Sequence, residues 1–168
     1  MDSATILKAM DAFTPVIAVH ATCALFVIVL GPLQILRRRR DRAHRVLGTA
    51  WATAMVLTCT TSFLIAPDGF SWLHGLAIWT LVCLVIAIVA IRRGVVPTHR
   101  GFMVGSYLGT AIAFAFATLA PGRAIPQLLR EDPVVALVTL AGVIVLVAVG
   151  SALVIRRSGP RAEAALAG

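Results

Sequence analysis

The chain has 168 residues, 60% of them hydrophobic and only 13% charged, with a mean hydropathy of +0.95. A soluble domain of this length cannot hide so much apolar surface. The net charge of +8 is concentrated in a few short segments between apolar runs, which excludes a nucleic-acid-binding surface as its origin.

The apolar residues fall in runs of about 20, enough for a helix to cross ~30 Å of hydrocarbon. Backbone polar groups in lipid must be satisfied inside their own segment, so helices are expected. The first residues, Met-Asp-Ser-Ala-Thr, lack the basic start of a secretory signal, so the first apolar run is expected to stay in the mature protein. Five spans follow in order: Thr14–Leu36, Arg45–Ala66, Phe70–Ile91, Gly101–Ala120 and Pro133–Ile155. Pro67-Asp68-Gly69 and Pro121-Gly122 read as turns between them, and Pro133 suits the first turn of the fifth helix. The predicted fold is an all-α membrane protein of one domain, residues 1–168. Its four-helix core is a pseudo-two-fold up-down bundle of two hairpins, residues 14–66 and 70–120, with an additional helix at 133–155.

Basic residues set the orientation. Arg37, Arg38, Arg39, Arg40, Arg42, Arg45, Arg92, Arg93, Arg100, Arg156, Arg157 and Arg161 share one side, leaving Lys8, Arg123 and Arg130 on the other. The positive-inside rule then places the N-terminus outside and the C-terminus in the cytoplasm of a cell whose plasma (inner) membrane holds the protein. The arginines are also expected to meet anionic headgroups of the bilayer. No loop has room for a nucleotide-binding or flavin domain, and no glycine-rich phosphate loop occurs.

The two hairpins repeat a layout. His20 and His44 are 24 residues apart, His74 and His99 are 25 apart, and the hairpins are offset by 54 and 55 residues. Each loop is basic, and each return helix opens with His-Arg followed by a glycine and an aromatic: H-R-V-L-G-T-A-W against H-R-G-F-M-V-G-S-Y. In the bundle, His20 and His74 share the outer level and His44 and His99 the inner one, on the order of 25 Å apart at ~1.5 Å per residue.

Paired imidazoles from separate helices suit a b-type haem. Both axial positions of the iron are then nitrogen, and electron transfer is favoured over oxygen activation. One or two haems are expected, with His20 and His74 on the outer iron and His44 and His99 on the inner. Arg45 and Arg100 would neutralise the inner propionates and Arg123 the outer ones. Gly48, Gly105 and Gly109 let a macrocycle or a neighbouring helix approach the backbone. The function expected is a membrane oxidoreductase or electron-transfer subunit, exchanging electrons with a quinol or another membrane redox partner. Two alternatives stay open. One is a cofactor-free membrane subunit, assembly factor or small transporter whose histidines are interfacial hydrogen-bonding or proton-handling groups. The other is copper held by His20, His74 and Cys23 at the outer face. The cysteines Cys23, Cys59 and Cys83 lie within apolar runs, an odd count with no CxxC pattern, and read as packing residues.

Several segments resemble a bacterial membrane family known as domain of unknown function 2306. They are L-G-P-L-Q (Leu30–Gln34), H-R-V-L-G-T-A-W (His44–Trp51), F-S-W-L-H (Phe70–His74), R-R-G-V-V-P-T-H-R-G-F-M (Arg92–Met103) and P-G-R (Pro121–Arg123). The resemblance implies a multi-helix membrane protein with histidines at these positions; the family has no established activity to carry over. In architecture the layout is also similar to the cytochrome b561 kind of two-haem bundle, although the signature motifs of those cytochromes are not evident.

Overall fold

The computed structural model describes residues 15–65, 69–119, 126 and 130–158. Five long helices make up the described chain: α1 (Pro15–Leu36), α2 (Arg42–Ser62), α3 (Trp72–Arg92), α4 (Val96–Leu119) and α5 (Pro133–Arg157). Four of them, α1, α3, α4 and α5, are long and apolar enough to cross a membrane. The second is less apolar than these, so of the five spans read from the sequence all five are helices and four have this spanning character. Its composition explains the difference, since Thr49, Thr53, Thr58, Thr60, Thr61 and Ser62 punctuate it.

The helices begin where capping chemistry permits. Pro15 opens α1 and Pro133 opens α5, at positions whose N–H would have no helical partner. The Asp41 carboxylate accepts the His44 N–H at 3.0 Å, and the Asp132 carboxylate accepts that of Val135 at 3.1 Å. Two starts therefore precede the sequence reading: α2 begins at Arg42, not Arg45, and α4 at Val96, not Gly101. His44 and His99 are thus held on helical backbone. Gly94, at a φ of 75° that favours glycine, turns the chain from α3 into α4.

The first four helices pack as a ring in which α1 touches α2, α2 touches α3, α3 touches α4 and α4 closes on α1. The fifth lies against α1 and α2, burying one stripe of Val143, Val147 and Ser151 at helical spacing. That placement gives the least apolar helix three apolar neighbours: α1, α3 and α5. Most of its threonine hydroxyls need no outside partner. Thr49, Thr58, Thr60 and Thr61 donate to the carbonyl four residues back in their own helix.

The centre of the ring is filled. Val27, Leu30, Met55 and Leu84 are almost wholly buried, and Trp51 donates its indole N–H to the Val27 carbonyl at 3.0 Å. Tyr107 of α4 lies against the backbone of Gly31 in α1, where a side chain would collide with it. Outward, large apolar residues such as Ile112, Val138, Leu146 and Val85 are exposed, as expected where the surroundings are lipid.

Candidate functional site

The four histidines fall at the two ends of the ring, as two different kinds of arrangement. At one end, His20 of α1 and His74 of α3 both converge on the last turn of α2. His20 Nδ1 lies 3.1 Å from Thr61 Oγ1. The Thr61 hydroxyl donates to the Leu57 carbonyl at 2.6 Å, so it accepts from the imidazole. His74 is buried and uses both ring nitrogens. Its Nδ1 accepts the Ser71 N–H at 2.9 Å, which puts the ring proton on Nε2, where it donates to the Ser62 carbonyl at 3.1 Å. Phe63 and Phe70 flank the ring with centroids 5.7 and 5.2 Å away. His74 thereby ties the end of α2 to the start of α3.

An iron on His74 would have to displace either the Ser71 amide or the Ser62 carbonyl, so this end does not fit a haem axial ligand. Nor does it gather the copper set. Among the described residues no three histidine, cysteine or acidic side chains cluster as metal ligands, and Cys23 packs against the hydrophobic core. His74→Ala is expected to destabilise the protein by about 1–3 kcal/mol, since it removes the acceptor of the part-buried Ser71 amide and one of the two donors to the Ser62 carbonyl. Thermal unfolding in detergent measures this.

The basic end is different. Gln34, buried near the end of α1, donates its amide N–H to the His44 carbonyl at 3.2 Å. That fixes which way the amide points, so its oxygen, 3.1 Å from His44 Nδ1, accepts the ring proton. His99 donates its Nδ1 proton to the Ala87 carbonyl of α3 at 3.0 Å. Both imidazoles consequently carry their proton on Nδ1 and leave the Nε2 lone pair for a ligand. An imidazole that ligates a metal through Nε2 is normally oriented in this way, with its other nitrogen held by a carbonyl or carboxylate.

The electrostatics of this end point the same way. The charges of Arg40 and Arg37 bear on His44, and that of Asp41 opposes them. Arg37 pairs with Asp41 at 2.6 Å, yet its buried Nε has no partner. The Asp41 carboxyl is held below its ordinary value, chiefly by the His44 N–H and then by Arg37.

Arg45 and Arg100, assigned to propionates from the sequence, are exposed, while Arg37 and Arg40 bear more directly on His44. Arg123 lies outside the described residues, as do Pro67, Asp68, Pro121 and Gly122. Gln34 was missed as a site residue. Its signal was present in L-G-P-L-Q, as the one buried amide in an otherwise apolar helix.

Fold and site together define a helical integral membrane protein whose bundle carries an imidazole pair at each end. The chain belongs to the DUF2306 family of predicted membrane proteins, whose profile matches residues 17–154. No curated protein and no solved structure matches it, and nothing in these comparisons supports kinship with cytochrome b561.

Proposed function

We propose that the protein is a membrane electron carrier that would hold one b-type haem at its basic end through Nε2 of His44 and of His99. The observation that carries this reading is the matched tautomer of the two imidazoles, each set by a carbonyl oxygen on a different neighbouring helix. The unpartnered Arg37 Nε–H supports it as a donor for a propionate carboxylate, with Arg40 adding charge. When bound, the haem would supply one-electron ferric/ferrous chemistry. The chain's own part would be to hold the imidazoles and neutralise the carboxylates. In this reading all five helices cross the plasma membrane. The polar α2 is shielded by its neighbours, and the basic end faces the cytoplasm.

A second reading keeps the bundle cofactor-free. It is favoured by the filled interior and by the protein hydrogen bond that each histidine already has. The redox spectrum of purified protein separates the two. A Soret band and a sharp α-band on dithionite reduction, at one haem per chain, support the electron carrier. A colourless preparation that takes up no added haem supports the cofactor-free subunit.

A further inference from the structure

Between α3 and α4 lies a groove of about 500 Å³ that touches none of the four histidines. Gly101 and Gly105 form part of its floor, and a side chain built on either would meet nothing within 4 Å. Trp79 and Phe102 stand at its sides, and the buried hydroxyl residues Thr80 and Ser106 line its depth. Trp79 is 60% exposed, so the groove opens to the surface that lipid covers.

Ser106 is the anomaly. It is 3% exposed, and its buried Oγ has no hydrogen-bond partner. A helical hydroxyl ordinarily avoids this by donating to the carbonyl four residues back, as Thr110 and Thr118 do in the same helix. Leaving a buried hydroxyl unpaired is unfavourable, and an acceptor entering by the groove would relieve it. The acceptor must come from the membrane, because the groove opens there. A phospholipid ester is too shallow: Ser106 is ten residues into α4 from Val96, about 15 Å along the helix. An acyl chain has no acceptor to offer.

We infer that this groove binds the ring of a quinone-class lipid. A flat ring fits a glycine floor between two aromatic walls, an apolar tail leaves toward lipid, and a ring carbonyl accepts the Ser106 hydroxyl proton. The groove reaches Thr98, beside His99 in sequence, and Cys83, one turn from Ala87, whose carbonyl holds His99. The redox class of the ring rests on the electron-carrier reading; the groove and its unpaired hydroxyl do not.

The test is tryptophan fluorescence of the full chain in nanodiscs titrated with decyl-ubiquinone, with decanol as an apolar control. Saturable quenching by the quinone alone is expected, lost in Trp79→Phe. Ser106→Ala is expected to weaken binding about fivefold, the effect of one neutral hydrogen bond, and Gly105→Leu to abolish it. The inference is overturned if quenching never saturates or if both groove variants bind as the parent does. It is equally overturned if Gly105→Leu changes the particle mass, which would make the groove a contact between copies. The titration is run on protein whose haem content has been measured. Colourless protein that still binds quinone sinks the haem reading alone, and haem-loaded protein that does not bind sinks the groove alone.

Discussion

Alanine at His44 or at His99 is expected to leave the purified protein without haem, whereas alanine at His20 is expected to leave the haem content of the parent. The asymmetry follows from where the ring protons sit. At the basic end each imidazole gives its Nδ1 proton to a carbonyl oxygen and keeps Nε2 as a lone pair. At the other end His74 has already committed both nitrogens, so no pair of free ligands faces a common space. Under the proposed reading, either change would remove one of the two imidazoles that hold the haem. Gln34→Leu gives a finer test: it leaves both ligands but removes the acceptor that orients His44, and loss of such a partner typically weakens metal binding 10- to 100-fold. Haem per chain, read as the reduced pyridine complex, measures all four variants. Loss of haem in His20→Ala with retention in His44→Ala would move the cofactor to the opposite end and overturn the assignment.

Much of this architecture was legible in the sequence, for identifiable reasons. Runs of apolar residues with the length of a membrane crossing, broken by Pro-Asp-Gly and Pro-Gly, fix the number and order of the helices before any packing is known. The pairing of levels was also legible. Helix rise places His20 beside His74, and the two do meet on adjacent residues, Thr61 and Ser62. What could not be read is rotation about each helix axis. Whether His74 turns a lone pair toward a cofactor or spends it on the Ser71 amide depends on the turn that precedes α3. The same holds for Gln34 and Ser106. One is a buried amide that finds His44 and the other a buried hydroxyl that finds nothing, and no local pattern distinguishes them. The polar character of α2 was plain in its threonines. That it could be sheltered by α5 follows only from the packing of a helix outside the repeat.

Valine at Gly31 is expected to prevent accumulation of folded protein, the largest stability effect of any single substitution proposed for this chain. A side chain there points into the ring of Tyr107 and also reaches within 3.4 Å of the Trp51 indole nitrogen. Trp51 has little room to retreat. Trp51 is 3% exposed, and its N–H is held by the Val27 carbonyl, while Tyr107 packs against the core cluster between α1 and α4. Overpacking of a filled interior costs about 1–3 kcal/mol for a small insertion. Valine adds three carbons where one already collides, against a total stability of about 5–15 kcal/mol for a domain. Gly31→Ala is the milder member of the series. It is expected to fold with a lowered unfolding midpoint and to recover when Tyr107→Leu is added, since that change removes the ring being struck. Gly150→Ala is the control: nothing lies within 4 Å of a side chain built there, and alanine favours the helix by about 1 kcal/mol over glycine. Gly31 is also one turn from Gln34. A Gly31→Ala protein that folds with α1 displaced is therefore expected to hold haem more weakly, and rescue of both defects by Tyr107→Leu would show that packing at Gly31 positions the amide that orients His44.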